Sequence, residues 1–105
     1  MKINNKLIRD KIPEIMEKNG KTFELRILND NEYREMLNKK LHEELQEFDE
    51  ANDSEQLAEL ADMVEVIYAI VESKGVSIEE FEQVRLSKKK DRGGFAQKLF
   101  LISVE

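Results

Sequence analysis

Residues 41–73 read LHEELQEFDEANDSEQLAELADMVEVIYAIVES, and a helical hairpin is written into them. Apolar residues return every three or four positions on both sides of Asn52-Asp53-Ser54, which is the period of amphipathic helices. A turn that short folds two helices back on each other. Outward from the hairpin, Asn29 and Glu32 form a capping box that opens the first long helix, about Asp30 to Ala51. Asp53 with Gln56 starts the second, which Gly75 terminates. Ser77-Ile78-Glu79-Glu80 is a second capping box, and its helix should stop before Gly93-Gly94.

Toward the N-terminus, Asp10 is placed to cap a short helix, with Pro13 in its first turn and Gly20 at its end. Thr22–Leu28 alternates, with Phe23, Leu25 and Ile27 on one face, and Phe95–Val104 is apolar enough to pair with it. The expectation is a mainly α protein: a hairpin completed to a four-helix-bundle-like fold, with a minor two-stranded β element. No linker, repeat or low-complexity segment interrupts it, so residues 1–105 read as a single domain.

Composition narrows the function classes. Charged residues make up 38% of the chain, against about 25% in an average domain. Lys plus Arg total 17 and Asp plus Glu 23, a net charge of −6. Such a chain has no general attraction for nucleic acid polymers or anionic lipid. With no Cys and a single His, thiolate metal sites, disulfide frameworks, imidazole-rich zinc sites and Ser-His triads drop out. The longest apolar run, Val66–Val71, is too short to span a membrane. Met1–Lys11 has no signal-peptide core. The expected location is cytoplasmic.

The charges are segregated. Residues 41–73 hold eleven acidic residues and no Lys or Arg, whereas Arg85–Arg92 holds five basic residues and one Asp. An acidic run is ordinarily a solvated helix face, and helical phase tests that. At about 100° per residue, Leu37, Leu45 and Phe48 fall within about 40° of Leu41. Glu44 lies between that stripe and Tyr33/Ala51, Glu47 at its flank, and Glu43 and Glu50 on the far side. A carboxylate among core positions needs a cation or a partner. On the second helix, Leu57, Leu60, Ala61, Val64, Tyr68 and Val71 form the main stripe, expected to face the first helix. Glu59 and Asp62 begin a second apolar side that Met63, Val66, Ala69 and Ile70 continue. Two carboxylate pairs at i, i+3 on adjacent helices can converge four carboxylates. All-oxygen ligands favour Mg²⁺ or Mn²⁺.

Glu44-Leu-Gln-Glu47 followed by Glu59-Leu-Ala-Asp62 resembles the ExxE…ExxD signature of the MazG-like, phosphoribosyl-ATP pyrophosphohydrolase-like, all-α nucleotide pyrophosphohydrolases. Lys40-Leu-His-Glu-Glu44, Asn5-Lys-Leu-Ile-Arg-Asp-Lys-Ile-Pro13 and Arg92-Gly-Gly-Phe95 extend the likeness over nearly the whole chain. The resemblance implies hydrolysis of a nucleotide between its α- and β-phosphates, giving a monophosphate and pyrophosphate. It further implies that Glu44, Glu47, Glu59 and Asp62 form the catalytic, Mg²⁺-holding set. Lys40, one turn before Glu44, together with Arg9, Lys11, Arg85, Lys88, Lys89 and Arg92, makes up the supply of phosphate-binding cations.

Two other readings stand beside this one. Phosphoribosyl-ATP is an alternative substrate, and a non-catalytic acidic helical adaptor is an alternative class. Apolar residues on both sides of the second long helix lead to one more expectation, a homodimer or dimer of dimers.

Overall fold

A computed structural model describes residues 3–105; Met1 and Lys2, the start of the stretch read above for a targeting core, lie outside the described residues. The described chain is mainly α, with four helices: α1 (Ile12–Lys18), α2 (Asp30–Glu50), α3 (Asp53–Ser73) and α4 (Ile78–Arg92). No strand occurs among the described residues. Among the described residues no helix is long and apolar enough to cross a membrane.

Caps explain the boundaries. Asn29 Oδ1 accepts from the Glu32 amide at 2.9 Å, and Glu32 Oε1 accepts from the Asn29 amide at 3.3 Å, completing the box that starts α2. Asn52, rather than Asp53, caps α3, its Oδ1 accepting from the Glu55 amide at 3.1 Å. Gln56 Nε2 then donates to the Phe48 carbonyl at 3.2 Å, tying the first turn of α3 to the last turn of α2. Gly75 follows α3 at φ +76°, a left-handed position that disfavours any residue with a Cβ. Ser77 Oγ accepts from the Glu80 amide and opens α4. The Asp10 cap is not formed: Lys11 is the N-cap of α1, without a side-chain bond.

α2 and α3 pack along their length as an antiparallel hairpin, while α4 touches α3 more briefly. The α3–α4 contact is an edge-on pair of Tyr68 and Phe81, ring centroids 6.1 Å apart. The Tyr68 hydroxyl donates to Glu82 Oε1 at 3.2 Å.

Three expectations need correction. The stripe of α2 is rotated from Leu45 toward Glu44: Leu37 is buried, Tyr33, Lys40, Leu41 and Phe48 are half-buried, and Leu45 is 46% exposed. α3 presents the opposite side to α2 from the one expected. Glu59, Asp62, Met63, Val66 and Ile70 are partly buried, whereas Leu57, Leu60, Ala61 and Val64 are exposed; of the expected stripe only Tyr68, half-buried, and Val71, buried, are covered. A helix apolar on two sides leaves its phase undetermined by periodicity, and the acidic pair turns inward with the face that carries it. Finally, Thr22–Leu28 and Phe95–Val104 form no ladder. The Phe95 carbonyl accepts from the Lys98 amide in a turn, with Lys98 at φ +60°, which bends the tail where a strand should begin. Strand propensity without a partner does not make a sheet.

Candidate functional site

The hairpin brings three of the four signature carboxylates together. Glu44 on α2 and Glu59 and Asp62 on α3 each offer an oxygen, and these atoms lie within 4.8 Å of one another. Position along the helices explains it. Glu44 sits somewhat over one and a half turns before the end of α2, Glu59 the same distance into α3 and Asp62 nearly one turn further on, and the tight Ala51-Asn52 turn sets these levels side by side. Glu47, one turn after Glu44, is exposed at the rim and acts on Glu44 and Glu59 as a neighbouring negative charge.

Glu44 is the one buried charged residue among those described, its side chain 7% exposed. Burial first, then the charge of Glu47, pushes its carboxyl up to about 7; Lys40 acts in the opposite direction. The same two causes, in the same order, raise Glu59. Oε2 of Glu44 and Oε2 of Glu59 are buried and have no hydrogen-bond partner. Orphaned acceptors of this kind are unfavourable in a folded protein and call for an explanation.

Two cations flank the cluster. Lys40 Nζ lies 3.6 Å from Glu44 Oε1 and 3.9 Å from Glu43 Oε2, on a side chain only 20% exposed. Arg9, from the irregular segment before α1, places Nη1 3.2 Å from Asp62 Oδ1 and Nη2 3.9 Å from Glu65 Oε2. The pairing of Arg9 with Asp62 spans 53 residues of sequence, and no periodicity foretells it.

The remaining candidate cations form no ion pair with this group. Arg85 is paired with Glu82 on its own helix. Lys11, Lys88, Lys89 and Arg92 are exposed and form no ion pair among the described residues.

A divalent cation fits these residues. Two buried oxygens lack donors, the ligand set is carboxylate throughout, and of its three members only Glu44 and Asp62 have a cation beside them. Hard oxygen ligands of this kind suit Mg²⁺, Mn²⁺ or Ca²⁺ rather than the softer transition metals.

The sequence model of phosphoribosyl-ATP pyrophosphohydrolase matches residues 5–88, which takes in Arg9, both acidic pairs and most of α4. The chain belongs to the phosphoribosyl-ATP pyrophosphohydrolase family. The all-α phosphoribosyl-ATP pyrophosphohydrolase-like fold expected from ExxE…ExxD is therefore established, and with it membership of a nucleotide pyrophosphohydrolase family. Lys89, Arg92 and the apolar tail fall beyond the part matched to the family. Neither the curated proteins nor the solved structures gave a match.

Proposed function

We propose that the chain is a Mg²⁺-dependent nucleoside triphosphate pyrophosphohydrolase, with Mn²⁺ as an alternative metal, acting between the α- and β-phosphates to release a nucleoside monophosphate and pyrophosphate. The observation that carries this reading is the convergence of Glu44, Glu59 and Asp62 around buried, partnerless carboxylate oxygens inside the family match. Glu44, Glu59 and Asp62 would hold the metal, with Glu47 completing the set at the rim. When bound, Mg²⁺ supplies charge neutralisation for phosphate oxygens and lowers the pKa of a bound water. Lys40 pairs with Glu44 and is the first phosphate-binding candidate in this reading. Arg9 is the second phosphate-binding candidate, with Lys11, Arg85, Lys88, Lys89 and Arg92 as outlying ones.

The family's own description keeps phosphoribosyl-ATP as the second substrate reading; it too contains an α–β phosphoanhydride. The test is a panel of nucleoside triphosphates and phosphoribosyl-ATP with Mg²⁺, followed by phosphorus NMR of the products. Pyrophosphate with a monophosphate is the expected result. A nucleoside diphosphate with orthophosphate would place attack at the terminal phosphate and defeat the assignment. An acidic adaptor, by contrast, would turn over nothing and gain no thermal stability from millimolar Mg²⁺.

The working unit is proposed to be a homodimer or a dimer of dimers. The chain exposes 9679 Å², where a folded monomer of this mass exposes about 6,100 Å². Its radius of gyration is 18.0 Å, against about 13 Å for a compact domain of this length. The excess far surpasses the roughly 800 Å² that each partner contributes to a standard interface. Leu57, Leu60 and Val64, exposed together on α3, supply an apolar face for a second copy.

A further inference from the structure

Arg9 is bonded to a carboxylate that the proposed metal site also needs. Its Nη1 donates to Asp62 Oδ1 at 3.2 Å, and its Nη2 lies 3.9 Å from Glu65 Oε2, one turn further along α3. The two cations at the cluster are held differently. Lys40 belongs to α2 itself and sits inside, beside the buried Glu44. Arg9 sits outside, 64% exposed, on a segment without regular structure, and its partner Asp62 is 41% exposed. A pair this open to water is weak and exchangeable. Asp62 cannot give its charge to a divalent cation and keep a guanidinium at full strength, because the two cations would then repel each other at close range. Glu65 is not part of the cluster, so it can retain Arg9 nearby once Asp62 is lost. A guanidinium released there, still tethered by the chain, has a planar fork that matches a phosphate group.

We propose that Arg9 is an exchangeable counter-ion of Asp62: it pairs with the cluster when no divalent cation is bound, is displaced when one binds, and is then taken up by the polyphosphate of the nucleotide. This rests on reading Glu44, Glu59 and Asp62 as a divalent-cation site. Metal and Arg9 therefore compete for Asp62, while nucleotide and Arg9 attract. By linkage, the segment around Arg9 is loosened by metal alone and re-anchored by metal with nucleotide. The Ile12 amide, which donates to the Arg9 carbonyl at 3.1 Å, is a built-in reporter of that anchoring.

Three measurements on the full-length chain test the exchange. Calorimetric titration with Mn²⁺, without nucleotide, should show Arg9→Gln binding the metal about two- to five-fold more tightly than the parent, the range an exposed ion pair supports. Arg9→Lys, which keeps the charge but not the fork, should bind Mn²⁺ like the parent yet show weaker affinity for a non-hydrolysable α,β-methylene triphosphate. Hydrogen exchange at Ile12 should quicken with Mn²⁺ alone and slow again when the analogue is added. If the parent binds no Mn²⁺ at all, the metal-site reading falls and this inference with it. If the parent binds Mn²⁺ but Arg9→Gln binds it no more tightly, or Ile12 exchange ignores the metal, the counter-ion exchange alone is overturned.

Discussion

Lys40 Nζ lies 3.6 Å from one oxygen of Glu44, while the other oxygen of the same carboxylate is buried with no donor at all. One oxygen of Glu44 is thus held by a cation of its own helix, on a carboxylate that also lies in the cluster with Glu59 and Asp62 of α3. Removing Lys40 leaves Glu44 buried without its cation. Lys40→Met should push the Glu44 carboxyl further up and destabilise the metal-free protein by at most about 1 kcal/mol at neutral pH, since the carboxyl then takes up a proton. Glu44→Gln should leave the metal-free protein as stable as the parent or more so, because burial already disfavours the ionised form of Glu44, whose carboxyl is pushed up to about 7. Thermal unfolding with and without Mg²⁺ checks both variants. A Glu44→Gln protein that still gains stability from Mg²⁺ would remove Glu44 from the site.

The two outer carboxylates lead to a different expectation. Glu47 is exposed, Asp62 is partly exposed, and both crowd other negative charges. Neutralising either one relieves repulsion in the metal-free cluster. Glu47→Gln and Asp62→Asn should therefore fold as well as the parent and lose turnover by about a hundredfold or more, as transition-state groups commonly do. Circular dichroism melts and steady-state rates check this pair, and turnover within tenfold of the parent in both would count against the site.

The start of α2 carries a pH dependence of its own. The Arg26 guanidinium bonds Glu32, at 3.1 and 2.6 Å, and the Asn29 amide adds to it, holding the Glu32 carboxyl down at about 2. A depressed carboxyl stabilises the fold above its unfolded value near 4.5 and loses that contribution as pH falls toward 2. Glu32→Gln should accordingly be less stable than the parent at pH 7 and approach it near pH 2. Urea midpoints at the two pH values measure the difference; a gap unchanged by pH would mean that the Arg26 pair contributes nothing.

How far the sequence reaches can be judged residue by residue. Asn29/Glu32 and Ser77/Glu80 are legible because capping is local: donor and acceptor are three positions apart. Glu44 is legible because a carboxylate near an apolar stripe is anomalous on any helical wheel. The phase of α3 is not, since Leu57/Leu60/Val64 and Met63/Val66/Ile70 are equally apolar and only packing chooses between them. Thr22–Leu28 has the alternation of a strand, but pairing is non-local and the folded chain leaves it none. Arg9 stood out only through its motif; that it bonds Asp62 depends on how the N-terminal segment crosses α3.

The corrected phase of α3 also moves the expected dimer contact. Had Met63, Val66 and Ile70 been the outer face, a charge at Val66 or Ile70 would separate subunits. They are instead partly buried on the side of α3 that carries Glu59 and Asp62, so Val66→Glu or Ile70→Glu should disrupt the hairpin itself and unfold the chain. Leu57, at 76% exposure, with Leu60 and Val64 at 44% and 43%, forms the outer face. Burying three such side chains against a second copy stabilises association by about 1.5–3 kcal/mol for each that is fully covered. A two-fold axis would set hairpin against hairpin as four helices, the arrangement in which each subunit's face is self-complementary. Light scattering at micromolar concentration should then report two or four times 12.3 kDa. Leu60→Glu or Val64→Glu should shift the protein to the single-chain mass with its helical signal retained, since neither side chain is needed inside the hairpin. Because Leu60 is one residue from Glu59 and two from Asp62, loss of the partner should expose the carboxylate end of α3 and lower turnover together with mass. A parent protein that is fully active at 12.3 kDa would show that the exposed α3 face has some other use.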